Sequence, residues 1–111
     1  MKYLRNIVPY EPVNLLNVLD YEKGKIASKA LIDNEHTEIR FFAFAKGESI
    51  DKEYYEMETI FFILDGTLKI LYKENDERIV NVGEMIALES GVDYGVEAMT
   101  DVKLYNILIK E

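Results

Sequence analysis

The chain has no cysteine, no tryptophan and a single histidine among its 111 residues. Without cysteine there is no disulfide framework, no thiolate nucleophile, no thiolate zinc site and no iron–sulfur cluster ligated in the usual way. One histidine excludes any site that draws two imidazoles from the same chain, and its setting in the polar run Asp33-Asn34-Glu35-His36 reads as a solvated turn. Positive charge is also scarce, with 13 Lys and Arg against 21 Asp and Glu and a formal charge of −8. So acidic a chain repels nucleic-acid phosphates and anionic lipid surfaces, which argues against nucleic-acid and membrane partners and against a multiply phosphorylated substrate. Long apolar runs are missing as well: residues 59–64 fall far short of the roughly 20 that span a bilayer. The N-terminal MKYLRNIVPYEPVN meets Pro9, Glu11 and Pro12 before the core of a signal peptide can build. These absences together predict a cytoplasmic protein.

What is present suffices for one core. Hydrophobic residues make up 49 % of the chain and aromatic ones 12 %, and at this size folding removes roughly two thirds of the extended chain's surface from water. No linker, low-complexity tract or internal repeat divides the sequence. Residues 13–21 place Leu15, Leu16, Val18 and Leu19 at helical spacing, with Asn14 as a cap and Gly24 as a stop, which predicts a short N-terminal helical turn. Residues 1–24 are then an arm of the same domain, and residues 25–111 a barrel.

After Gly24 the period changes to two. Short alternating segments at 25–33, 37–46, 50–55, 59–64, 67–73, 78–82, 85–88, 94–98 and 102–109 are separated by turn residues such as Asp65-Gly66 and Glu74-Asn75-Asp76-Glu77. The segment TEIRFFAFAK carries apolar residues on both faces, Phe41 and Ala43 on one, Phe42 and Phe44 on the other. A strand of that kind is covered on one side by a second sheet and on the other by the N-terminal segment or a partner chain. The pattern predicts an all-β double sheet or barrel.

Two glycine-anchored segments carry a more specific signal. The stretch from Gly47 to Gly66 has the spacing of G-x5-H-x-H-x3-E-x6-G, and Gly83 to Ala98 that of G-x5-P-x-G-x2-H-x3-N, with Gly91 in register. These are the two motifs of the cupin superfamily, and with KIASKALI, FFAFAKGE and FFILDGTLKI the chain resembles very small single-domain bacterial cupins over roughly residues 13–110. The resemblance implies a double-stranded β-helix, or jelly-roll barrel, usually paired as a homodimer. Exposed Ile7, Val8, Tyr10 and Val13 are the residues expected to serve such pairing.

The resemblance also places the metal positions at Glu53, Tyr55, Thr59 and Tyr94, where a metal-binding cupin has His, His, Glu and His. Glu89 and Ala98 stand where the second motif has Pro and Asn. A transition metal needs converging imidazole and carboxylate donors, so the expectation is a degenerate site with no metal and no cofactor. Glu53 reads either as an acceptor for Tyr94 or Tyr55 or, beside Asp51, Glu56 and Glu58, as a solvent-facing group, and Glu56 and Glu58 read as loop or rim charges. The ligand-site candidates are Glu53, Tyr55, Thr59, Phe61 and Tyr94, a polar ring above an apolar floor of Phe42, Phe44, Met85 and Tyr105. The leading expectation is a metal-independent small-molecule-binding cupin of unspecified ligand. One alternative is an isomerase or epimerase-like enzyme with a burial-raised Glu53 as base and Tyr94 as acid. The other is a noncatalytic interaction protein whose barrel is filled by Tyr55 and Tyr94.

Overall fold

The computed structural model describes residues 1–110, so Glu111, the last residue of the expected barrel segment, lies outside the described residues. Nine strands follow one 3₁₀ turn: β1 (Ile26–Asp33), β2 (Thr37–Phe44), β3 (Ser49–Tyr55), β4 (Glu58–Asp65), β5 (Thr67–Tyr72), β6 (Asp76–Asn81), β7 (Met85–Leu88), β8 (Val92–Ala98) and β9 (Val102–Ile109). They form a five-stranded sheet ordered β1-β2-β9-β4-β7 and a four-stranded sheet ordered β3-β8-β5-β6, antiparallel throughout. Among the described residues no helix is long and apolar enough to cross a membrane.

The core lies between the sheets. Phe44, Phe61, Ile63, Val102 and Leu104 face Leu68, Ile70, Val96 and Ala98, all buried. Strand alternation sends the intervening residues of the five-stranded sheet to its outer face, where Phe41, Tyr105 and Phe62 stack across three neighbouring strands. The arm runs over the β1–β2 side of this face. Arg5 N donates to Leu31 O, Leu4 bridges Ile32, and arm residues from Asn6 to Val18 wall a groove with Leu31 and Phe41. The N-terminal segment is thus the cover that the two-sided apolar pattern of β2 requires.

The expected N-terminal helical turn is present as a single 3₁₀ turn. Asn14 caps it as expected, accepting from Leu16 N at 2.9 Å, but the turn spans only Leu15–Asn17. The carbonyls that would continue it are engaged elsewhere: Leu16 O accepts from Lys103 Nζ and Val18 O from Lys29 Nζ. Side chains of β9 and β1 hold the arm to the barrel and end the helix well before Gly24.

Turn chemistry fixes the β4–β5 hairpin. Gly66 holds φ +79°, and a Cβ there would run into the Asp101 carbonyl and the Thr100 hydroxyl of the β8–β9 connection. Thr67 N is bonded to that same Thr100 hydroxyl, so the two connections pack as a unit that only glycine permits at this position.

Candidate functional site

The candidate residues come from facing strands of the two sheets. Thr59 and Phe61 point inward from β4 and are buried, as is Tyr94 on β8. Tyr55, at the end of β3, stacks its ring on Tyr94 with centroids 4.3 Å apart, and Phe61 meets Tyr94 edge-on at 5.9 Å. The Tyr94 hydroxyl bonds the Thr59 hydroxyl at 3.0 Å. Tyr55 donates instead to Glu53 Oε2 at 3.3 Å. Glu53 sits directly opposite Tyr94 in the β3–β8 pairing, yet its side chain is exposed at the rim, because β3 is an edge strand and is bulged between Ile50 and Glu53.

Two members of the expected floor belong elsewhere. Met85 is 66 % exposed, and Tyr105 lies in the outer-face aromatic stack between Phe41 and Phe62. The inward residues are their neighbours: Ile86 packs on the core, and Leu104 and Asn106 flank Tyr105 on the buried parity of β9. Phe42 and Phe44 are placed as expected.

Beside the stacked tyrosines a cavity of about 170 Å³ remains, walled by Tyr55, Phe61 and Tyr94 together with Phe42, Phe44, Ile50 and others. Three further polar residues wall it, and none was singled out by motif spacing: Glu38 and Arg40 on β2, and Asn106 on β9. Arg40 is directly opposite Asn106, which in turn is opposite Phe61. Arg40 brings both Nε and Nη2 to Glu38 Oε1 at 3.0 Å, while its Nη1 reaches Ser28 Oγ at 3.4 Å. Asn106 is only 7 % exposed, and its Oδ1 has no hydrogen-bond partner among the described residues. The signal that marks it in the sequence is a lone amide on the apolar parity of VKLYNILI, in step with Val102, Leu104 and Leu108.

The phenols are held in their protonated form. Burial pushes Tyr55 up to about 12, with help from the charge of Glu53, from Tyr94 and from the hydrogen bond donated to Glu53. Burial likewise raises Tyr94, partly opposed by the Thr59 hydrogen bond and reinforced by the charge of Glu38. An unfolded tyrosine ionises near 10, roughly two units before folded Tyr55. The unfolded chain therefore releases this proton first as pH rises, so stability is complete below about pH 10 and declines through about pH 12. The expected result is a melting temperature that falls over this interval, with a shallower slope in Tyr55→Phe; thermal melts across alkaline buffers check it.

Such a donor set does not fit a transition metal. Two protonated phenols stack on each other, the threonine hydroxyl is engaged, Glu53 lies exposed at the rim, and Glu38 is paired with Arg40. Among the described residues no three His, Cys, Asp or Glu side chains cluster as metal ligands would. The Thr59–Tyr94 bond has its own consequence. Tyr94→Phe would strand a hydroxyl at a position 1 % exposed, at an expected cost of about 1–3 kcal/mol. The double change Tyr94→Phe with Thr59→Val removes both partners and should recover most of that loss, as urea denaturation of the two variants would show.

No protein-family model matches the chain, and no curated protein matches it in sequence. Its fold, in contrast, is shared with solved structures. A conserved protein of unknown function from Streptococcus pyogenes superposes with a TM-score of 0.95 at 21 % identity, covering 100 % of this chain and 96 % of that one. A cupin superfamily protein from Desulfitobacterium hafniense DCB-2 gives 0.91 at 21 % identity, covering 97 % and 98 %. An RmlC-like cupin family protein with a double-stranded β-helix fold, from Methanocaldococcus jannaschii, gives 0.70 at 13 % identity, covering 81 % and 86 %. The structural neighbours are cupin superfamily proteins, and the double-stranded β-helix expected from the motif glycines is the fold of this chain.

Proposed function

We propose that this cupin-fold protein is a metal-independent binder of a small organic molecule, taken up in the cavity between its two sheets. One observation carries the reading: a cavity of about 170 Å³ whose walls combine aromatic faces with convergent polar groups, the usual make-up of a small-molecule site. Tyr55, Phe61 and Tyr94 supply apolar contact and Arg40, Glu38 and Asn106 supply orientation. Glu53 is the rim group that holds the Tyr55 hydroxyl. A proton-transfer role for Glu53 and Tyr94 has less support, since the carboxylate is solvated and the two groups bond to different partners. A cysteine-free chain suits the reducing cytoplasm.

The test is a fragment screen followed by chemical-shift mapping on labelled protein. Ligands should perturb Tyr55, Phe61 and Tyr94 together and lose their effect in Ile50→Phe, which adds volume at the cavity wall. A broad screen without such a ligand, or ligands indifferent to Ile50→Phe, would overturn the reading in favour of a filled barrel.

Self-association belongs to the same proposal. Among the described residues, nine of the fifteen large hydrophobic ones that stand exposed lie in the arm, Ile7, Val8, Tyr10 and Val13 among them, a density that suits contact with a second copy of this chain. Light scattering should give a dimer mass that falls to the monomer in Val8→Ser with Tyr10→Ser; a monomer in the unaltered protein would exclude the pairing.

A further inference from the structure

We infer that a second copy of this chain docks on the outer face of the five-stranded sheet, about a two-fold axis along β9, so that the arm of each copy covers the side that the other leaves open; this rests on the self-association reading above. The face is divided by its own cover. The arm lies over β1 and β2. The opposite side presents Met85 and Ile109 to solvent and is hollowed by a groove of about 490 Å³, whose walls include Glu58, Ile60, Ala87, Glu89, Ile107 and Ile109. Strand alternation sends these isoleucines outward in step with Phe62 and Tyr105. An apolar sheet face needs a cover, and the arm of one copy supplies it for one side alone.

Symmetry fixes the arrangement. A two-fold contact uses the same patch on both copies, so the patch has to carry both a ridge and the hollow that receives it. This face carries both. Because β9 is the third of five strands, rotation about an axis along it lays β1 of one copy over β7 of the other and β2 over β4, with each residue kept at its level along the strands. The register supplies the levels. Leu4 bridges Ile32, which stands in one row with Ile39, Ile107, Ile60 and Ala87. Phe41, beside Ile7 and Val8 in the arm groove, stands in one row with Tyr105, Phe62 and Met85. The axis therefore brings Val8 over Met85, and Arg5 to the level of Ala87. An axis running across the strands would instead stack arm on arm and leave Met85 and Ile109 in water.

Charge and size agree with the axis along β9. Residues 1–13 carry Lys2 and Arg5 against Glu11 alone, the reverse of the balance in a chain of net charge −8. The receiving groove has Glu58 and Glu89 against Lys73, so two acidic copies meet through opposite local charge. Five strands of up to eight residues, at spacings of about 4.8 Å and about 3.4 Å per residue, make a face of roughly 600 Å². With the flank of the arm added, this approaches the roughly 800 Å² that each partner buries in a stable interface.

The absence of cysteine lets engineered thiols report a single contact. Val8→Cys and Met85→Cys, both at exposed positions, are co-expressed as separate chains and treated with a short bismaleimide. Covalent dimer should form roughly tenfold more readily in the co-expressed protein than in either variant alone, since the axis joins Val8 to Met85 and parts each from its own counterpart. Independently, Met85→Asp should weaken the dimer roughly tenfold or more in light scattering over a dilution series, because it buries a carboxylate in the contact. Covalent dimer formed as readily by one variant alone, or a dimer indifferent to Met85→Asp, overturns the docking mode and leaves the pairing standing. A monomer in the unaltered protein overturns both.

Discussion

Gly95→Ala is expected to destabilise the protein by about 3 kcal/mol or more, among the larger losses that a single methyl group causes. Gly95 lies on β8 between Tyr94 and Val96, and its special role is one of space. A Cβ there would stand 2.5 Å from Ile50 O, 2.8 Å from Lys52 N and 2.9 Å from the Asp51 carbonyl carbon. All are backbone atoms of the β3 bulge, which cannot swing aside as a side-chain tip can. Accepting the methyl means lifting β3 from β8, with loss of the pairing from Ser49 to Tyr55 and a shift of Ile50 and Tyr55, both walls of the cavity. Gly83→Ala is the control. Gly83 has φ +83° but open space around its missing side chain, so only the left-handed backbone is at stake, a cost of about 1–2 kcal/mol. Urea denaturation of the two variants should separate the two requirements clearly; equal losses would mean that β3 yields easily and that its bulge does not fix the cavity wall.

The same bulge shows where the sequence was legible and where it was not. All nine strands could be read from alternation and turn residues, because in a sandwich each strand buries one parity and each turn carries its own chemistry. The resemblance to the cupin motifs implies inward positions for Tyr55 and Tyr94 and strand alternation adds Phe61, and all three wall the cavity. Parity errors account for Met85 and Tyr105: a shift of one residue exchanges inside for outside, and β9 is apolar on both faces around Tyr105. Glu53 reads two ways in the sequence, as an acceptor for Tyr55 or Tyr94 or as a solvent-facing group, and the structure leaves it exposed and accepting from Tyr55, an outcome set by the irregularity between Ile50 and Glu53, which leaves no mark in composition. The polar wall was visible only in part. Arg40 already shares a face with Phe42 and Phe44 in the sequence, but which face of β2 turns inward depends on the arm covering the other, a tertiary fact.

Asn106→Leu is expected to raise stability. The amide oxygen is buried with no donor among the described residues, a deficit of about 1–3 kcal/mol. Leucine has nearly the same length, fits the aliphatic parity of β9 and brings apolar surface to a position already 7 % exposed, so relief of the deficit and added hydrophobic burial have the same sign. A gain of about 1–2 kcal/mol corresponds to a melting temperature higher by roughly 4–16 °C for a domain of this size. Asn106→Ala should move the other way, since it leaves a hole as well as removing the amide. Arg40→Leu should also destabilise, because it strands the Glu38 carboxylate in a wall where that side chain is only 18 % exposed. Opposite signs for Asn106→Leu and Arg40→Leu in thermal melts would mark the amide as a residue the fold does not need and the guanidinium as one kept for the partner it holds. A loss of stability in Asn106→Leu would instead make the amide part of the fold.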